Sequence, residues 1–167
     1  MGIIKHAKDL YLNMNKKIKN TTPKEYNNIK FKSLQEVMVY KTLIQFGFEP
    51  HYEACKYPIW RGFKPEVLCY KPNKQGNLRL EDKKIIDITY TPDFIFTAPD
   101  KKTVIIMEVK GGFLNDTYPL KEKMFRGYLE GLLKKSNQPT MFFQVRSKQQ
   151  VIDAISIINT KCNEAKK

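Results

Sequence analysis

Two segments carry the residues with the most reactive possibilities in this chain, Thr91-Pro92-Asp93-Phe94-Ile95-Phe96 and Val104-Ile105-Ile106-Met107-Glu108-Val109-Lys110-Gly111. Between them, Ala98-Pro99-Asp100-Lys101-Lys102 is a turn signal flanked by apolar, β-branched and aromatic runs, so the pair reads as a β-hairpin. With the turn centred between Asp100 and Lys101, antiparallel pairing sets Asp93 opposite Glu108. Strand alternation then puts Lys110 on the Glu108 face. Adjacent carboxylates repel and are costly to bury unless a hard divalent cation such as Mg²⁺ sits between them. A lysine beside such a cation can hold an attacking water or stabilise negative charge developing on a phosphate. The trio therefore points to metal-dependent nuclease chemistry, with Asp93 and Glu108 as metal ligands.

A blander reading makes Asp93 a strand-edge turn residue and leaves Glu108 and Lys110 on a solvated strand face. The neighbours argue against it. Val104 and Ile106 share the face of Glu108 while Ile105 and Met107 occupy the other, and a strand apolar on both sides is central and covered. The second Pro-Asp, Pro99-Asp100, sits in the turn far from Glu108 and reads as turn chemistry with Lys101.

Several elements must position this hairpin. Ser33-Leu34-Gln35-Glu36 opens a helix that runs past Leu43 and Ile44 to a stop at Gly47, and Ser33 with Glu36 fits a capping box. Two roles stand for Glu36, a helix cap or a third carboxylate reaching the metal directly or through water. Residues 50 to 90 hold short strands, Val67 to Tyr70 and Ile85 to Thr89, with a turn near Asn73 to Asn77; these strands are expected to build the sheet that leads into the Asp93 strand. Trp60 beside Arg61 either stacks on a splayed base or covers the core. After Gly111-Gly112, Pro119 opens a helix through Leu133 with Lys121, Lys123 and Arg126 near its start. Those cations either grip DNA phosphates at the helix N-terminus or decorate a solvated face. Thr140 to Val145 reads as a buried strand, and Ser147 caps a last amphipathic helix through Val151, Ile155 and Ile158.

The chain of 167 residues is most simply one folded domain, residues 23–167, behind a basic N-terminal helical segment, residues 1–22. That segment, with Lys16, Lys17 and Lys19, is either an arm for DNA or a dimer, or an ordinary surface helix packed by Ile4, Leu10, Tyr11 and Ile18. Thirty basic residues against seventeen acidic ones, a net charge of +13, suit a polyanionic partner, although lysine enrichment also follows from an AT-rich genome. Three cysteines, Cys55, Cys69 and Cys162, lie in no CxxC spacing, which argues against structural zinc and fits a reducing cytoplasm; Cys162, near the tail, is expected to be exposed. No segment has the length of a membrane span, the opening residues lack the apolar core of a signal peptide, and His6 breaks a myristoylation motif. The expected localisation is cytoplasmic, with no membrane partner.

Pro92-Asp93 followed by Glu108-Val109-Lys110 resembles the PD-(D/E)XK nuclease superfamily. Glu36 on a helix ending in Phe46-Gly47-Phe48 is similar to the arrangement in its Holliday-junction resolvases, and the stretch from Glu108 to Arg126 resembles phage-type endonuclease I. The resemblance spans roughly residues 33 to 146; a long insertion between Gly47 and Asp93 and the basic N-terminal segment depart from compact resolvases. It implies an α/β, restriction-endonuclease-like core, a central mixed β-sheet flanked by α-helices. It also implies Mg²⁺ at Asp93 and Glu108 with help from Glu36, Mn²⁺ as a substitute, Lys110 orienting the water, and a homodimer cutting branched DNA to leave 5′-phosphates, in a bacterial host if phage-encoded. Two other readings remain open, a catalytically inactive DNA-binding or regulatory protein on the same fold, and a sequence-specific restriction enzyme.

Overall fold

A computed structural model describes residues 24–111 and 117–164. The expected basic helix of residues 3–19, with Lys16, Lys17 and Lys19, lies outside the described residues, as does Gly112. The order is β1 (Lys24–Tyr26), β2 (Ile29–Phe31), α1 (Leu34–Gln45), β3 (His51–Tyr52), β4 (Tyr57–Trp60), β5 (Tyr70–Pro72), β6 (Leu78–Leu80), β7 (Ile88–Tyr90), β8 (Phe94–Thr97), β9 (Val104–Val109), α2 (Tyr118–Ser136), β10 (Thr140–Val145) and α3 (Lys148–Glu164). The fold is mixed α/β around a four-stranded sheet of order β10-β9-β8-β3.

The expected hairpin is the centre of that sheet. β8 and β9 pair antiparallel with Phe94 opposite Met107 and Thr97 opposite Val104, and one further step along this register sets Asp93 opposite Glu108. The turn follows from Asp100. Its side chain accepts from the backbone N–H groups of Lys102 and Thr103 at 2.9 Å each and from the Thr103 hydroxyl at 2.6 Å, while Lys101 takes the left-handed conformation, φ 57°. Parallel neighbours need a long crossover. β9 and β10 are parallel, Thr140 opposite Val104 and Val145 opposite Val109, and α2 supplies the crossover. The sheet is therefore mixed.

Two apolar clusters sandwich β9. Ile105 and Met107 join Phe31, Leu43, Phe94, Val151 and Ile158 in the core beneath α1 and α3. Ile106 joins Tyr90 and Phe125 beneath α2, with Val104 packed against them. Each fully buried side chain of this size contributes about 1.5–3 kcal/mol, so the hairpin is held from both faces and Glu108 is placed on the α2 side. α1 begins where Ser33 Oγ accepts from Glu36 N at 3.2 Å and ends before Gly47, whose φ of 82° suits glycine. Ser147 Oγ accepts from Gln150 N at 3.3 Å at the start of α3, as the sequence predicts. Among the described residues no helix is long and apolar enough to cross a membrane.

Some expectations are corrected. The strands expected at Val67 to Tyr70 and Ile85 to Thr89 are shifted to Tyr70–Pro72 and Ile88–Tyr90, and neither joins the central sheet; β5 pairs with β6, and β7 with β4. The reason is the turn at Asn73, whose Oδ1 accepts from Gln75 N at 2.9 Å and Asn77 N at 3.0 Å. It closes the ribbon around Pro72 and Leu78 and leaves Val67 and Leu68 unpaired and exposed. β10 is an edge strand on which only Val145 is fully buried, because it has one neighbour. Cys162 is buried on the inner face of α3, while Cys55 and Cys69 are exposed, and no disulfide joins any of them among the described residues. Trp60 does not cover the core: it is partly exposed and meets Phe63 edge-on at 5.6 Å.

Asp100 holds three donors, and these bonds, led by Thr103, hold its carboxyl down to about 2. Its folded value lies below the unfolded one near 3.9, so its contribution is present above about pH 4 and is lost as pH falls toward 2. Asp100→Ala should cost about 1–2 kcal/mol at pH 7 by urea denaturation, with the difference from wild type shrinking between pH 4 and 2. An equal difference at both pH values would contradict this role.

Candidate active site

The trio comes together where β8 starts, β9 ends and α2 begins. Asp93 follows the fully buried Pro92 and is fixed twice: its carbonyl accepts from Glu53 N at 2.8 Å, and its Oδ2 accepts from Val109 N at 2.7 Å. Lys110 N donates to Val145 O at 2.8 Å, which continues the β9–β10 pairing past Val109. Its ammonium turns back to Glu108 Oε1 at 2.7 Å and sits 3.0 Å from the centroid of the Tyr118 ring. Both side chains of this ion pair are largely buried, at 11% and 13% exposure, where a charge pair is screened little by water. Tyr118 belongs to the first turn of α2, and its hydroxyl lies 3.4 Å from that of Tyr90. Tyr90 in turn stacks on Phe125 with ring centroids 4.2 Å apart.

The electrostatics are those of a site with too much negative charge. Glu108 Oε2 is buried with no hydrogen-bond partner among the described residues. The Asp93 carboxyl is pushed up to about 7, first by burial and then by the charge of Glu108, against the lowering effect of the Val109 N–H. Burial and the charge of Glu108 also push the Tyr90 hydroxyl above its ordinary range.

Glu36 is placed as a cap. Its Oε1 accepts from Ser33 Oγ at 2.8 Å, and its Oε2 accepts from Lys32 N at 2.9 Å and Tyr52 OH at 2.6 Å. Three donors hold a carboxylate that is only 8% exposed, so the capping role accounts for its position; Asp93 feels its charge only as a lesser influence. Among the described residues no group of three or more His, Cys, Asp or Glu side chains is arranged to hold a metal ion. Asp93 and Glu108 remain as a pair of hard oxygen donors, and Mg²⁺ is commonly held by one or two carboxylates with water and phosphate completing its shell. The orphaned Glu108 oxygen and the strained ionisation of Asp93 are what such a cation would relieve, so the residues fit it. Glu36 is not part of that pair.

Lys121, Lys123 and Arg126 lie exposed along α2, Arg126 at 3.8 Å from Glu122. The structure brings the first turn of α2 to the trio through Tyr118, but no contact joins these three cations to it among the described residues. Sequence reasoning missed Lys32, Tyr52, Glu53 and Tyr118. Lys32 pairs with Glu53; burial lowers its ammonium, but Glu53, Asp93 and Glu36 more than reverse this and raise it. Glu53 takes a left-handed φ of 45° to present its N–H to Asp93. Lys32, Tyr52 and Glu53 carry no motif because their segment reaches the Asp93 strand only through the β3–β8 pairing, and Tyr118 carries none because it meets Lys110 only through the placement of α2. Comparison with known proteins found no family model, no curated protein and no solved structure that matches the chain.

The raised Asp93 carboxyl has a definite sign. The folded chain holds its proton up to about pH 7 and the unfolded chain only to about 3.9, so stability is greatest below pH 4 and declines as pH rises to 7. Asp93→Asn keeps an acceptor for Val109 N–H and removes the charge. It should match wild type at pH 4 and exceed it by on the order of 2 kcal/mol at pH 8 without metal; urea denaturation at the two pH values measures this, and a variant less stable at pH 8 would overturn the assignment.

Proposed function

We propose that this chain is a Mg²⁺-dependent endodeoxyribonuclease, with Mn²⁺ able to substitute, acting on branched DNA. The observation that carries the reading is the buried Glu108 oxygen, without a hydrogen-bond partner among the described residues, opposite Asp93 with the Lys110 ammonium beside it. The resemblance of Pro92-Asp93 and Glu108-Val109-Lys110 to PD-(D/E)XK nucleases and the net charge of +13 support it; the preference for branched DNA rests on the resemblance.

Bound Mg²⁺ would supply Lewis acidity at the phosphodiester and favour deprotonation of the attacking water. Asp93 and Glu108 would hold it, Asp93 with one oxygen already oriented by Val109 N–H. The Lys110 ammonium is fixed between Glu108 and the face of Tyr118, so it is preorganised to meet negative charge as it develops on the phosphate. The N-terminus of α2, adjacent through Tyr118, adds a favourable dipole for an anion.

A metal-dependent cleavage panel of linear duplex, supercoiled plasmid, flap, single strand and four-way junction tests the proposal. Asp93→Asn, Glu108→Gln and Lys110→Ala should each lower cleavage by at least about 10²-fold, whereas Glu36→Gln, which keeps the cap's acceptor, should leave fold and cleavage near wild type. Wild type that cuts no DNA form with Mg²⁺ or Mn²⁺ sinks the proposal and favours a binding protein, a role in which the Lys110–Glu108–Tyr118 contact is purely structural. Discrete plasmid bands in place of junction cleavage favour a restriction enzyme.

A further inference from the structure

An interrupted antiparallel ladder runs outward from the site. Its root is the β4–β7 pair, Tyr57 opposite Tyr90, and Tyr90 stands three residues before Asp93 with its hydroxyl beside Tyr118. Farther out, Gly62 N donates to Asp87 Oδ1 at 2.8 Å and Phe63 bridges Ile85. A Cβ at Gly62 would collide with the Ile85 carbonyl oxygen, so the two backbones touch there and glycine is required. The ladder resumes with Glu81 N donating to Cys69 O at 2.8 Å and continues as β5–β6, closed by the Asn73–Asn77 turn. The neck is thus fastened to the element that ends at the site.

Alternation sorts the β5–β6 ribbon into two faces. Tyr70, Pro72, Leu78 and Leu80 share one, and Lys71 and Arg79 are directly opposed on the other. Every residue of both strands is exposed. Like charges directly opposite each other destabilise a strand pair, and no ion pair among the described residues relieves either cation. Glu81 lies on the same face one pair nearer the neck, and Lys74 occupies the tip. Between residues 61 and 84, seven basic residues stand against three acidic ones. A ribbon of three-residue strands has little stability to spare, so an unrelieved cation pair at its middle is explained by an anion that arrives from outside.

We propose that the β5–β6 ribbon is a DNA-gripping arm that lays its Lys71/Arg79 face, with Lys74 at the tip, into the groove of duplex flanking the cleaved phosphodiester. A two-stranded ribbon fits the major groove of B-DNA, and the phosphates relieve the opposed cations. Its neck, where the two backbones touch at Gly62, joins the arm to the strand that leads into Asp93, so the arm sets which duplex the site reaches. The inference rests on the DNA-cleavage reading.

Three variants of the full chain test it, by fluorescence anisotropy on a labelled blunt duplex without divalent metal and by the further measurements named with each. Lys71→Ala/Lys74→Ala/Arg79→Ala should weaken binding at least about tenfold and reduce the slope of log affinity against log salt by about two to three units, since each phosphate contact contributes about 0.9. Lys71→Glu should raise Tm, because it replaces a like-charge pair with an opposite one, while still weakening DNA binding; opposite signs in the two measurements distinguish a ligand-gripping pair from a structural one. Unchanged affinity and salt slope in the triple variant overturn the arm. The apolar face gives the competing outcome: if Leu78→Ser/Leu80→Ser converts a dimer to monomer by sedimentation and abolishes DNA binding while the triple variant still binds, the ribbon joins copies of the chain and the proposal fails. Wild type that cuts no DNA, beside a triple variant that loses affinity, removes the nuclease reading and leaves the arm; wild type that cuts, beside a triple variant that binds and cuts equally well, removes the arm alone.

Discussion

Two carboxylates lie opposite each other at the end of an apolar hairpin remote from its turn. The rungs from Phe94–Met107 to Phe96–Ile105 lie between packed layers, while Thr97 at the turn end is exposed, so the register that buries the inner rungs also brings Asp93 to Glu108. A slip of one residue would exchange the side chains that fill the two clusters and turn Glu108 toward the larger apolar core beneath α1 and α3. Burial of Ile105, Ile106 and Met107 therefore enforces the proximity of two groups that repel. The repulsion remains visible in the elevated Asp93 carboxyl and in a Glu108 oxygen left without a hydrogen-bond partner among the described residues.

The surroundings compensate without cancelling this charge. The Val109 N–H lowers the cost of ionising Asp93, Lys110 neutralises one side of Glu108, and the Tyr118 ring holds that ammonium by its electron-rich face. These contacts come from β9 and from the first turn of α2, which exists as a crossover because β10 runs parallel to β9. Sheet topology thus delivers the aromatic ring and the helix terminus to the same end of the sheet as the carboxylates. Lys32 and Glu53 approach from the other side through the β3–β8 pairing.

The insertion between β4 and β7 follows a different logic. It adds little to either core: its outer ribbon exposes apolar and basic faces alike, yet its neck is backbone-tight at Gly62 and its root ends in the Tyr90 that stacks on Phe125. Such an element is stiff where it joins the site and open where it ends. That combination suits positioning of an extended, charged partner better than stabilisation of the fold.

The hairpin was legible from local sequence because a turn signal between two continuous apolar runs centres the pairing and so sets its register. The same holds for α1 with its Ser33–Glu36 cap and for α3, each of which depends on neighbours within a few residues. Other features depended on contacts between distant segments, which periodicity does not encode. Pairing choice detached β4 to β7 from the central sheet, placed β10 at an edge and turned Cys162 inward. Tertiary packing also made Glu36 a satisfied cap, since Tyr52 reaches it from sixteen residues away, and it seated Lys110 on Tyr118. The sequence by itself determined that two carboxylates and a lysine would meet, because strand alternation is local; only the tertiary structure decided what holds them and what stands beside them, because that depends on which strands and helices share an end of the sheet.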